Sequence, residues 1–548
     1  MTIERSGATH SVYAAFCKSV VEYASRLFLH IPALCCQSYQ DGPIDISYQE
    51  LGLRVESKRK SYAEAGYRAG HRVALLLENR PDFFVHWFAL NALGVSVVPI
   101  NGEMSTGEIA YLLSHSESCL GVCVSSKRAA LQHAADTGLS SLPIITVQES
   151  PPMAPATGEE ATIDEHTECA VLYTSGSTGK PKGCILNNEY FLYAGRWYRD
   201  LGDLCHLEPG IERLLTPLPL VHMNAMACST MGMVMTGGCI VQLDRFHPSS
   251  WWDTVRKSGA SIVHYLGVMP AMLLHREPAG DEDFSAQVKF AFGAGVNPSH
   301  HAAFESRFGF PLIEGWAMTE SGCAGAIVAN REPRHIGSCC FGKAPAGLEF
   351  RLVDEQGNDV APGEQGELLV RAVGDDPWRG FFSGYLKNDE ATAEALADGW
   401  LHTGDVVRAV EDGSMHFVDR RKNVIRRSGE NISALEVEAV MSLSPIVDSV
   451  VVVPVPDEVR GDEVFAVVIP KPDLDTSEQL AIELFQHCYD AMVYYKTPAY
   501  ISFAAQLPLT ASGKPQRGEL KNLACKWLAQ GSYFDLRHRK RRSMKETA

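Results

Sequence analysis

The stretch from residue 72 to residue 101, RVALLLENRPDFFVHWFALNALGVSVVPIN, does most to limit how this chain folds. RVALLLE (72–78) is an unbroken apolar run of strand length, the texture of a strand covered on both faces. PDFFVHWFALNALG (81–94) has Pro near its start and Gly at its end, the asymmetry of a helix. VSVVPIN (95–101) returns to strand. Strand, helix and strand in that order, with short joins, predict parallel sheet with crossover helices, so the fold class is α/β. Further strands are expected at CLGVCVS (119–125), LPIITVQ (142–148) and CIVQLD (239–244).

Near Gly342 the texture changes. LEFRLVDEQGNDVAPGEQGELLVRA (348–372) alternates polar and apolar residues between Gly-rich turns, which suits antiparallel hairpins. A charged DRRK (419–422) precedes the helical ALEVEAVMSL (434–443) and the apolar VDSVVVVPVPDE (447–458). This places a domain boundary at Asp419 to Lys422. The expected division is 1–419, a joint at 420–422, a smaller α+β domain over 423–536, and a disordered basic tail over 537–548.

A chain of 548 residues is too long for one core, so two or more domains are expected. A net charge of −17 argues against general nucleic-acid binding, though not against a nucleotide. No apolar run approaches the roughly 20 residues of a membrane span, and the N-terminus lacks a basic-then-apolar secretion signal. Cytoplasmic location follows as an expectation. The fifteen cysteines show no CxxC spacing and read as reduced, mostly buried thiols.

YTSGSTGKPKG (173–183) follows the apolar strand AVLYT. Gly176, Gly179 and Gly183 let backbone N–H groups turn toward an anion. Thr174, Ser175, Ser177 and Thr178 add hydroxyl donors, and Lys180 and Lys182 add charge. Pro181, directly after Lys180, excludes the nucleoside-triphosphate loop G-x-x-x-x-G-K-[ST].

This segment resembles the phosphate loop of the adenylate-forming superfamily of acyl-CoA synthetases, adenylation domains and luciferases, and the resemblance continues in order along the chain. EGWAMTES (314–321) is similar to the second motif of that family. The resemblance implies that Glu314, Gly315, Trp316, Ala317 and Met318 border the nucleotide, with Trp316 stacked on adenine. Thr319 touches phosphate and Glu320 holds Mg²⁺. Trp316 and Ala317 replace the usual Tyr and Gly, so a phenol hydroxyl is missing there. FGAGVNP (292–298) resembles the adenine-side turn through Gly293, Ala294 and Gly295. GWLHTGD (399–405) makes Asp405 the ribose carboxylate. FVDRRKNVIRRSGENIS (417–433) resembles the hinge motif: Arg420 reaches ribose, Asp419 with Arg421 or Lys422 forms the hinge, and Arg426, Ser428, Gly429 and Glu430 belong to a loop facing coenzyme A. PLTASGKPQRGELK (508–521) supplies the catalytic Lys514, with Arg517 as a neighbour.

PLPLVHMNA (217–225) carries His222, beside the acyl pocket by resemblance. The same pocket draws on Met223, Tyr265, Leu266, Gly267, Gly295, Ala317 and Cys323. The family architecture implies a large N-terminal domain of parallel-rich αβ subdomains plus a small β-barrel-like unit, followed by a small mobile α+β domain. The implied reaction joins a carboxylic acid to ATP, releases pyrophosphate, and passes the acyl group to coenzyme A with release of AMP. The closest textures are those of crotonobetaine/carnitine–CoA ligases and medium-chain acyl-CoA synthetases. Other readings remain open: an enzyme that loads a carrier protein, a luciferase-like oxidase of an acyl-adenylate, or an inactive nucleotide-binding regulator. A homodimer is compatible with the sequence.

Overall fold

The computed structural model describes residues 10–138, 142–158, 160–174, 181–277, 282–421, 423–427, 430–457, 460–472, 474–492, 494–509 and 514–540. These form two compact units. The first comprises residues up to Phe350 together with Leu369–His402; the second comprises Arg351–Leu368 and the chain from Thr403 onward. The chain passes between them three times, so the division falls ahead of the expected joint at Asp419.

The first unit contains two sheets. One has six strands in the order Ile144–Thr146, Leu120–Cys123, Arg72–Leu76, Ser96–Pro99, Glu168–Thr174, Lys182–Asn187. Its first five strands run parallel and the last returns antiparallel. The strand–helix–strand unit expected from residues 72–101 is present, with the helix at Pro81–Asn91. Every residue of that helix except Asp82 is buried, which explains its apolar character on all sides.

The other sheet has eight strands, ordered Ile327–Val328, Leu312–Trp316, Phe290–Gly293, Ile262–His264, Arg213–Thr216, Cys239–Gln242, Leu27–Ile31, Ile44–Ser47. The inner strands are parallel and both edge strands antiparallel. The loops leaving Thr216, His264, Gly293 and Trp316 therefore emerge from the carboxyl ends of neighbouring parallel strands, where open α/β sheets hold ligands.

In the second unit, Asp405–Ala409 pairs antiparallel with Met415–Arg420 as a hairpin. A further sheet is built around Gly461–Pro470, which pairs antiparallel with Val447–Asp457 and parallel with Tyr500–Phe503. The run VVVVPV is apolar throughout because both faces are covered. Val450 and Val452 pack toward helices Ala434–Ser442 and Glu478–Ala491, while Val451, Val453 and Val455 pack toward helix Arg517–Gln530. Strand periodicity of two makes this alternation obligatory.

The basic tail departs from expectation at its start. Leu536 is fully buried, Arg537–Arg539 forms one tight turn, and Lys540 is buried against Glu463. The apolar anchor and the ion pair hold these residues, so disorder from Arg537 is not observed for Arg537–Lys540; residues 541–548 lie outside the described ones. Among the described residues, no helix is long and apolar enough to cross a membrane.

Candidate active site

In the first unit, Glu168–Thr174 and Lys182–Asn187 form the two arms of a hairpin, with Tyr173 opposite Gly183 and Thr174 opposite Lys182. Ser175, Gly176, Ser177, Thr178, Gly179 and Lys180 lie outside the described residues. Helix Thr106–Ser116 holds both arms. The hydroxyl of Tyr173 pairs with His115 Nδ1 at 2.8 Å, and the Tyr111 hydroxyl donates to the carbonyl of Pro181 at 3.2 Å.

Lys182 places its ammonium 4.6 Å from the centre of the Tyr385 ring, and the Tyr385 hydroxyl donates to Glu320 Oε1 at 2.8 Å. Glu320 is buried, and its carbonyl receives the N–H of Phe382. Burial, then the charge of Glu320, raise the Tyr385 pKa, so this hydroxyl stays a donor. Thr319, half-buried, is held through its carbonyl by the Tyr190 hydroxyl at 3.0 Å. Loop strand and second motif thus meet at Lys182, Tyr385 and Glu320. Tyr385 is absent from the sequence reading; its single signal is the Gly-Tyr of FFSGYLKN, which local pattern does not distinguish from a turn.

Glu314 proves to be a scaffold residue. Its two carboxylate oxygens accept the N–H groups of Gly295 and Val296 at 3.0 and 2.9 Å, fixing the turn after Phe290–Gly293. Burial raises its pKa to about 7. Gly315 lies against Phe292, and Trp316 is buried with its ring 6.3 Å from that of Phe341. Ala317 is exposed and Met318 half-buried. Ala294 and Gly295 are exposed, and Gly295 adopts a φ of +79°. A Cβ on Gly267 would collide with the Gly295 carbonyl, so glycine there permits the loops after His264 and Gly293 to meet.

Of the acyl-pocket residues, His222 is exposed, and Met223, Leu266 and Gly267 are half-buried. The carbonyl of His222 caps an unusual π-helical segment, Asn224–Ser229, by accepting the N–H of Met226. Tyr265 is buried and donates to the carbonyl of Ile313 at 3.2 Å, which makes it a floor beneath the loops. Cys323 is buried against the Cys228 thiol. His264, fully buried, pairs its Nε2 with the Tyr198 hydroxyl at 2.7 Å, and its Nδ1 with Asn224 Oδ1 and Ser229 Oγ at 2.8 and 3.0 Å. Burial lowers its pKa to about 3, so it stays neutral.

In the second unit, Asp405 and Arg420 stand directly opposite each other across the hairpin, with Arg420 Nε 3.0 Å from the buried Asp405 Oδ1. Lys514 is largely exposed as a residue, while the protein around its ammonium and then the charge of Arg420 lower its pKa. Three separate motifs thereby converge. Asp419 is fully buried: Oδ1 accepts from Arg420 N, and Oδ2 from Leu435 N at the start of helix Ala434–Ser442. Arg421 pairs with Glu367 at 2.7 Å. Arg517 pairs bidentately with Glu438, a structural clamp at a helix start. Arg426 and Glu430 sit in the hairpin of Ile425–Arg427 with Glu430–Ile432. Lys422, Ser428 and Gly429 lie outside the described residues.

The chain matches the AMP-binding enzyme family over residues 23–386 and the AMP-binding enzyme C-terminal domain over 436–514. It is 30% identical over 515 residues to a crotonobetaine/carnitine–CoA ligase of Escherichia coli O8, covering 90% of this chain and 96% of that one. Its fold is similar to that of o-succinylbenzoate CoA synthetase from Bacillus subtilis bound to its acyl-adenylate, at a TM-score of 0.77 and 24% identity over 92% of this chain and 97% of that one. It is likewise similar to an anthranilate CoA ligase in complex with anthranoyl-AMP, at 0.80 and 21% over 95% and 99%. The matched domains, the order of the motifs and the fold together make this chain an enzyme of the AMP-binding, adenylate-forming family.

Proposed function

We propose that this enzyme is an AMP-forming ligase that joins a carboxylic acid to coenzyme A. The observation that carries the reading is the convergence of Asp405, Arg420 and Lys514 from three separate motifs in the second unit. Asp405 accepts from ribose hydroxyls, and Arg420 holds it in place. Lys514 neutralises charge between the acid and the α-phosphate.

A free carboxylate is a poor acyl donor because its leaving group is oxide. Its oxygen attacks the α-phosphorus of ATP, the bond to pyrophosphate breaks, and an acyl–phosphate anhydride remains. Two anions meet in this step, so alignment and charge neutralisation dominate. Lys182 and the loop hydroxyls grip the outer phosphates. Glu320, oriented by Tyr385, would hold Mg²⁺: a buried carboxylate suits a hard cation. The ion, when bound, offsets charge on the phosphates. Coenzyme A thiolate then attacks the acyl carbon and AMP departs with the anhydride oxygen. Rotation about Asp419–Lys422 withdraws Lys514 after the first step and presents the hairpin of Ile425–Arg427 with Glu430–Ile432 for the second.

The substrate class is a small or medium-sized monocarboxylic acid. Met223, Leu266 and Cys323 offer no charge, and neutral His264 adds none. Pyrophosphate release and AMP release over a panel of acids, with and without coenzyme A, test the reading. AMP release that depends on coenzyme A supports it. Release that needs a carrier protein instead, or no release with any acid, overturns it.

A further inference from the structure

The Glu463 carboxylate is fully buried on strand Gly461–Pro470. Arg427, also buried, bonds its Oε1. Lys540 reaches its Oε2 at 2.9 Å, with a side chain only 1% exposed. Arg460, half exposed, stands 3.8 Å from Oε1. Two buried cations on one buried carboxylate are weak contributors to stability, since such groups repay little beyond their own desolvation. Their use lies in what they hold in place.

Arg427 is the last residue of strand Ile425–Arg427 before Ser428 and Gly429. It lies opposite Glu430 in the hairpin and opposite Gly461 on its other side. Lys540 arrives from far along the chain, directly after the tight turn that follows Leu536. The Glu463 carboxylate therefore ties the root of the hairpin to the chain's last described residue.

We propose that Lys540 is a positioning residue for thioester formation, acting through Glu463 and Arg427 on the hairpin of Ile425–Arg427 with Glu430–Ile432. The proposal rests on the reading of that hairpin as the face turned to coenzyme A. Without Lys540, Glu463 keeps Arg427 and draws in Arg460, and the hairpin root settles on a different set of contacts. Adenylation uses Lys514 and does not draw on this hairpin.

The test compares full-length wild type, Lys540→Met and Lys540→Arg in three measurements. These are pyrophosphate exchange with acid and ATP, single-turnover thioester formation from supplied acyl-adenylate and coenzyme A, and the thermal midpoint. The Met variant is expected to lose roughly tenfold in thioester formation, as small misplacements of a reacting face do, with exchange unchanged. The Arg variant should recover most of that loss. Equal loss in both half-reactions, or an unchanged thioester rate, overturns the proposal. Lys540→Gln, which keeps a neutral donor, serves as the second variant where Lys540→Met fails to fold. A wild type that exchanges with no acid sinks the ligase reading instead, so the two failures are distinct.

Discussion

At the scale of single residues, two carboxylates in one motif divide the labour. Glu320 stands with Tyr385 and Lys182, whereas Glu314 spends both oxygens on backbone N–H groups. Burial raises the Glu314 pKa from 4.5 to about 7, so the folded chain binds a proton there that the unfolded chain releases. The stability attached to that proton is present below about pH 4.5 and is lost as pH rises to about 7. Thermal unfolding of wild type and Glu314→Gln across that window should diverge by roughly 3 kcal/mol at most, wild type losing ground as pH rises; parallel curves would remove the assignment. Lys514→Ala should lower adenylation by roughly a hundredfold or more while thioester formation from supplied acyl-adenylate persists. Equal loss in both would discard the assignment of Lys514 to the first step alone. Motif letters single out Glu320, Asp405 and Lys514 in the sequence as candidates. The scaffold role of Glu314 was not legible there, because a buried carboxylate that holds backbone and one that faces a ligand look identical in a string of letters. Tyr385 needed a pairing between distant segments.

At the scale of elements, the strand–helix–strand run at residues 72–101 was legible because burial on every side leaves an unmistakable apolar texture. The π-helical turn at Asn224–Ser229 was not, since its cause is tertiary: His264, on a strand distant in sequence, pins Asn224 and Ser229 from below. π-turns of this kind recur where a helix bends a side chain toward a site, and this one begins just after His222. His264→Phe should remove the partner of the Tyr198 hydroxyl and the shorter of the two bonds at Asn224 Oδ1, leaving there the 3.4 Å bond from Ser229 Oγ. The expected cost is about 2 kcal/mol of folding stability, read by urea denaturation, with a raised KM for the acid. A variant of unchanged stability and KM would show that the network supports neither.

At the scale of the whole molecule, the second unit begins earlier than a charged linker suggests, because the strand carrying Asp405 pairs with the residues that follow it. Charge patterning suggests a joint at Asp419–Lys422 but does not reveal the compact division, which depends on which strands pair. Lys422→Pro, by restricting the backbone at the joint, should depress thioester formation while adenylation continues; loss of adenylation alone would reverse the assignment of the two steps. The chain carries fifteen free cysteines. Burial holds the thiols of Cys184, beside Glu320, and Cys228, beside Cys323, well above the ordinary thiol pKa. A protonated thiol is a poor nucleophile. Cys184 and Cys228 therefore do not compete for an activated acyl group, and the thiol that ends its lifetime is the one delivered from outside.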